Sequence, residues 1–297
     1  MDISRPAIGV KIDNHTAARP QTGLESADIV YEELVEGGIT RFLAMYHCGD
    51  AGDLGPTRSA RAVDPDLLVQ YAPVLFAYSG GSPNVMRKVG ATPGVIDLQS
   101  GINASGYSRR RGRPAPHNLY TSTDRIRSLP RAQGVAGPPR TGLIFDQSLS
   151  GEEGVPQGAS PPDPAPPPPT GNKVFFSYSG GAAGTTVSYA YDAPSRRYLR
   201  SFGGRPHQAA SGAPLGAANV LVLKVHVDRR GKSPEILAHG GGEATLLRGG
   251  RFVQGQWIRP SLTDQTALFD ASGQPMKLAP GNTWIHLLPN DRALTLE

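Results

Sequence analysis

The sequence has one cysteine in 297 residues, so an intramolecular disulfide is excluded. Cys48 ends the apolar run Phe42-Leu43-Ala44-Met45-Tyr46-His47-Cys48 and is read as a buried, inert thiol. No window reaches 18 apolar residues, so no transmembrane segment is expected. The opening Met1-Asp2-Ile3-Ser4-Arg5-Pro6 has no apolar signal region. The chain is therefore soluble as given, or stands without an export signal and anchor that once preceded it. Aromatics make up only 7% of residues, and no nucleic-acid motif accompanies the basic cluster Arg109-Arg110-Arg111-Gly112-Arg113. Nucleic acid is thus not expected as a partner, and the cluster reads as a solvated, mobile loop. His47, His207, His226, His239 and His286 lack the spacing of metal ligands, so neither a metal nor a cofactor is expected. There is no Gly-x-Ser-x-Gly elbow, and Ser79-Gly80-Gly81-Ser82-Pro83 lacks the Lys-Ser/Thr of a phosphate loop.

Glycine (37) and proline (28) are abundant, which favours short strands and many turns over long helices. Length suggests two domains. The boundary falls at Ser148 to Asn172, where Pro161-Pro162-Asp163-Pro164-Ala165-Pro166-Pro167-Pro168-Pro169 can supply no ladder hydrogen bonds. Residues 1–147 alternate between element types. Ala7–Ile12, Thr40–His47 and Val74–Tyr78 read as strands, and Ala27–Leu34 as a strand or short helix. Ala62–Gln70 reads as a helix capped by Asp64 ahead of Pro65, and Pro83–Val89 begins another. Residues 173–297 carry strand patterns at Lys173–Tyr178, Thr186–Tyr191, Asn219–Val225 and Thr283–Leu288, with Trp257 and Trp284 as core. The expected class is α+β: a mixed α/β N-terminal domain, a Pro-rich linker or excursion at 148–172, and a smaller β-rich C-terminal domain.

The first half places charged groups where apolar strands run into loops, positions held by a scaffold yet open to ligands. Asp13 and His15, two residues apart, would share a strand face, so that the carboxylate could orient the imidazole for proton transfer. Glu33 is a second candidate base. His117, between Pro116 and Asn118, is a second candidate acid/base. Arg19, Arg41, Arg58 and Arg61, with Glu36, Ser59 and Asn118, are the candidate ligand-binding residues, since guanidinium groups grip carboxylate or phosphate in two-point contacts. Salt bridges from Arg58 and Arg61 to Glu33 and Glu36 would account for the same pattern structurally.

The segments IDNHTAARPQTGLESADIVYEELVEGGITRFLAMY, GPTRSARAVDPDLL, YSGGSP and PHNLYTS resemble the N-terminal domain of the YerB-like lipoproteins, a family catalogued as a domain of unknown function. GAANVLVLKVHV, GGRFVQGQWIRP and LAPGNTWIHLLP are similar to that family's C-terminal domain. The resemblance implies a bacterial cell-envelope protein, usually exported and lipid-anchored, with no settled activity. Two function classes follow. One is an extracytoplasmic protein that binds a polar, partly anionic envelope ligand or an envelope protein partner near peptidoglycan or its synthesis. The other is an envelope-substrate hydrolase or transferase, with Asp13, Glu33, His15 and His117 as acid–base groups and an arginine anion clamp.

Overall fold

The computed structural model describes residues 3–149, 172–180 and 186–297. Strands take about 40% of the chain and helices 15%, a strand-dominated α+β architecture built on one large sheet. The proline-rich boundary lies almost wholly outside the described residues.

In the first half the strands are β1 (Ala7–Asp13), β2 (Ile29–Leu34), β3 (Thr40–Tyr46), β4 (Val74–Ala77) and β5 (Val95–Asp97). They form half of a ten-stranded sheet, ordered β2-β3-β1-β4-β5. The other half comes from the end of the chain: Thr283–Pro289 lies in parallel beside β2, and Asn219–Val225 in parallel beside Thr283–Pro289. Beyond these, Gly240–Arg248, Arg251–Arg259 and Ala267–Asp270 complete the sheet as antiparallel neighbours. The two parts of the sequence thus share a single hydrogen-bonded sheet, joined where Ile29 faces Thr283 and Glu33 faces Leu287.

Every residue of β1, β3 and β4 is buried, as expected for strands covered on both faces. On one face Val10, Ile12, Phe42, Val222 and Trp284 pack against a second sheet. That sheet contains Lys173–Ser177, Thr186–Asp192 and Arg197–Phe202, which contribute Phe176, Tyr189 and Tyr198. On the opposite face Leu43, Met45, Leu221 and Leu287 pack with helix α1 (Val63–Leu68) and helix α2 (Pro83–Ala91). Trp257 and Trp284 are both core residues.

Three local expectations are corrected. Asp64 does not cap its helix, which starts from Ala62; its side chain is fully buried and its Oδ2 accepts from the Arg61 amide. Cys48 is exposed, because β3 ends at Tyr46 and the next three amides turn outward around the Asp28 carboxylate. The Arg109–Arg113 loop is pinned: Arg109 donates to Asn118, Arg110 pairs with Asp53 over the Tyr120 ring, and Arg113 donates to the Ala18 and Pro20 carbonyls. No helix among the described residues is long and apolar enough to cross a membrane.

Strand direction sets the stage for the site. Strands β1, β2, β4, β5, Asn219–Val225 and Thr283–Pro289 all run the same way. Their carboxyl ends therefore share one edge, the edge where open sheets of this kind carry ligands.

Candidate functional site

Side-chain alternation sorts the charges at this edge onto two faces. Lys11 and Asp13 of β1, Glu33 of β2 and Arg41 of β3 point to the helix-covered face, and register places Arg41 opposite both Asp13 and Glu33. Innermost is a sealed triad. Lys11 Nζ donates to Glu33 and, at 2.7 Å, to Asp64, and all three side chains are buried from solvent. Burial and the nearby Asp64 charge raise the Glu33 carboxyl to about 7, against the opposing pull of Lys11. Glu33 Oε2 has no hydrogen-bond partner among the described residues.

One step outward, Asp13 is almost fully buried and is held by several groups. Its Oδ1 accepts from the His15 amide at 3.0 Å, and its Oδ2 lies 2.7 Å from His117 Nδ1. Arg58 Nε sits 3.1 Å from the same oxygen, an ion pair not aligned as a hydrogen bond. An imidazole that donates from Nδ1 to a carboxylate keeps Nε2 as the nitrogen free to accept a proton. The expected Asp13–His15 pairing is thus made through the backbone, and the imidazole on Asp13 belongs to His117. The two rings stack with centroids 4.8 Å apart, while His15 Nδ1 caps a short turn by accepting from Ala17. His117 comes within reach because the Pro114–His117 turn closes on itself at 3.0 Å.

The guanidinium groups continue the cluster to the surface. Arg41, 6% exposed, donates from Nη1 to the Ser59 carbonyl at 2.9 Å, and its Nε has no hydrogen-bond partner among the described residues. Burial, then the neighbouring Arg61 and Arg58, bring its pKa down to about 10. Arg61 grips Glu36 through Nε and Nη2. Burial works upward on Glu36, but the hydrogen bonds from Arg61 and Ser233 hold it down to about 2. Three guanidiniums thus surround two carboxylates, Asp13 and Glu36, while deeper in the fold one ammonium serves Glu33 and Asp64.

The outer end of this cluster opens into a cleft of about 470 Å³. Its walls are Glu36, Ser59 and Arg61, the loop around Lys232, and Gly81-Ser82 at the start of α2. Ser82 caps that nine-residue helix, accepting from Val85, so the positive end of the helix faces the cleft.

Two candidates lie elsewhere. Asn118 is consumed in holding its own loop, bonded to Arg109 and to the Arg113 carbonyl. Arg19 reaches Asn14 and stacks 3.5 Å over Phe202 on the opposite face. Residues that the sequence did not single out also appear. Lys11 sits inside an apolar strand pattern, and Asp64 reads from sequence only as a helix cap, not as a site group. Lys232 and Ser233 come from a distant loop, and nothing in the local sequence brings them to Glu36.

The opposite face holds a second buried network. Glu32 accepts from Arg200 at 2.8 and 3.0 Å, from Thr40 at 2.7 Å and from Asn14 at 3.3 Å, with His286 Nδ1 3.3 Å away. Tyr178 and Tyr189 bracket His286, and His207 joins Arg200 to Gln21. Burial acts upward on Glu32, yet the Arg200 charge and then the His286 bond bring it down to about 2. Burial, with Arg200 second, drives His207 down to about 2.

Comparison with known proteins follows the same span. Residues 2–136 match the model described as "Protein of unknown function (DUF3048) N-terminal domain", and residues 175–285 match its C-terminal counterpart. The chain is 28% identical over 292 residues to "Putative lipoprotein YerB" of Bacillus subtilis, covering 96% of this chain and 82% of that protein. The crystal structure of the YerB protein from Bacillus subtilis superimposes with a TM-score of 0.81 at 25% identity, covering 99% of this chain and 94% of that one. The cleft and both buried networks therefore sit in a fold already seen in a relative, and the chain belongs to the DUF3048 family, with both of that family's domains in order.

Proposed function

We propose that this is an extracytoplasmic cell-envelope protein that binds a polar, anionic ligand in the cleft at the carboxyl edge of its large sheet. The name of the Bacillus subtilis relative supports the location. The observation that carries the ligand class is Arg41, more than nine-tenths buried, with a Nε unpartnered and a charge that no hydrogen-bonded carboxylate offsets among the described residues. A carboxylate or phosphate in the cleft meets Arg61 at the wall, with Arg41 behind it on the same Ser59 carbonyl, and the α2 N-terminus adds favourable backbone N–H groups. Peptidoglycan fragments and their phosphorylated precursors are the first ligands to try, being the polar anions of that compartment. Titration calorimetry with these compounds is the test. Binding weakened about tenfold or more by Arg61→Ala supports the reading, and no binding of any of them defeats it.

The second reading, an envelope-substrate hydrolase or transferase, is favoured by one feature, the 2.7 Å contact between Asp13 Oδ2 and His117 Nδ1. In that reading His117 Nε2 takes a proton from the attacking group, Asp13 holds the imidazole, and Arg58 steadies the substrate anion. Turnover of a peptidoglycan fragment that disappears in His117→Gln establishes it; binding without turnover leaves the ligand-binding reading in place.

A further inference from the structure

At the opposite end of the sheet, four arginines from two hairpin turns surround a second cavity, of about 640 Å³, that the carboxyl-edge site does not touch. Arg196 and Arg197 come from the turn that ends Thr186–Asp192. Arg248 and Arg251 flank the Gly249-Gly250 turn joining two strands of the large sheet. Both glycines have positive φ, 55° and 74°, the backbone a tight two-residue hairpin requires. A Cβ on Gly250 would meet the Tyr191 ring at 2.9 Å, so the bare turn lies flat on that ring and fixes where the flanking arginines emerge. Arg196 is the one non-glycine residue with positive φ (52°) among the described residues, a costly conformation kept at the cavity rim.

The charges there are unbalanced. Among the described residues, no acidic one lines the cavity. Two carboxylates stand outside it: Asp146 makes only a long ion pair with Arg248 Nη1, at 4.0 Å and beyond hydrogen-bond reach, and Asp192 takes hydrogen bonds from Ser195. Arg197 Nε and Arg248 Nη1 are both buried without a hydrogen-bond partner among the described residues. Buried guanidinium nitrogens left unpaired are expensive, and an anion is the natural remedy. Four positive charges suit a multiply charged group better than a single carboxylate. Tyr191, Val253 and Pro280 give the cavity an apolar wall, suited to the organic body that carries the charge.

We infer that this cavity is a second ligand site, one that takes the phosphate group of an organophosphate. The inference is independent of the reading of the carboxyl-edge cleft.

Calorimetry at low salt with inorganic pyrophosphate and glucose 6-phosphate probes a soluble source. Co-sedimentation with phosphatidylcholine vesicles doped with phosphatidic acid probes a lipid headgroup. At least one source is expected to bind, and which one identifies where the phosphate comes from. Binding should persist in Arg61→Ala, whose change lies at the other edge, and fall about tenfold or more in Arg251→Ala or Arg248→Gln. Arg251 is exposed, so its replacement leaves folding intact, and a thermal melt checks this. Three outcomes overturn the site: no source binds, binding vanishes with Arg61→Ala alone, or Arg111→Ala on the distant loop weakens it as much as Arg251→Ala.

Discussion

Glu32 and Glu33 are adjacent in sequence, equally buried, and opposite in behaviour. Alternation along β2 sends Glu32 to the face under the second sheet and Glu33 to the face under the helices. The first takes both of its oxygens to one guanidinium nitrogen, Arg200 Nη2, together with hydroxyl and amide donors, and stays ionised at about 2. The second shares one ammonium with another carboxylate, keeps an oxygen unpartnered among the described residues, and rises to about 7. The Glu32 network is sealed from solvent: Glu32 itself is fully engaged, and Arg200 Nε is left without a hydrogen-bond partner among the described residues. The Glu33 side continues through Arg41 and Arg61 to open space. Burial alone therefore does not mark a functional carboxylate; incomplete partnership on a path to solvent does.

The sharpest way to break this contrast is to remove the cation on each face. Arg200→Leu should cost about 3–5 kcal/mol in urea unfolding, because it leaves Glu32 charged and sealed in. Lys11→Met should cost less, about 3 kcal/mol where Glu33 stays ionised, and the loss should shrink as pH falls and level off below about 7, because without the pull of Lys11 the Glu33 carboxyl takes up its proton at a higher pH. A Lys11→Met loss that ignores pH would contradict the raised Glu33 value.

The pH profile of stability separates the two glutamates next. Glu33 titrates higher folded than unfolded, so its contribution is full below about 4.5 and is lost as pH climbs towards 7. Glu32 titrates lower folded, so its contribution is present above about 4.5 and lost as pH falls towards 2. His207, kept neutral, adds to the acid loss, because below about 6.5 the unfolded chain binds a proton that the folded one refuses. Glu33→Gln should remove the decline between pH 4.5 and 7 and leave the acid limb intact, as read by urea midpoints across pH.

The smallest effect on stability is expected at the cleft. The Arg61–Glu36 pair is partly exposed, so Arg61→Ala should cost at most about 1 kcal/mol. Its effect on ligand affinity should be the larger one, which sets it apart from Arg200. Limited proteolysis sharpens the picture further. Cleavage between residues 150 and 171 should give two fragments that stay together until denaturant is added, because β2 and Thr283–Pro289 share a ladder. Fragments that part in buffer would show that each half is self-sufficient.

Much of the scaffold was legible in the sequence. The apolar runs that became β1, β3, β4 and Asn219–Val225 carry enough β-branched and aromatic residues to be read directly. The charged motifs after them are legible as strand-end positions, but not which face each side chain takes: Arg19 lies on the opposite face from Arg41 and Arg61. Pairing was not legible: nothing in IVYEEL says that its neighbour is TWIHLLP some 250 residues later. His286 lacks metal-ligand spacing, yet its place in an apolar run hints at a buried polar contact. Cys48 misled for the converse reason, since the apolar run before it continues in sequence but not in space.

The placement of Thr283–Pro289 also governs when the protein can fold. This strand sits between β2 and Asn219–Val225 and brings His286 to Glu32. A nascent chain that stops short of it has β2 as a raw sheet edge and Glu32 without its imidazole. Completion of the sheet waits for nearly the last residues to be synthesised, since contacts of such long range close late.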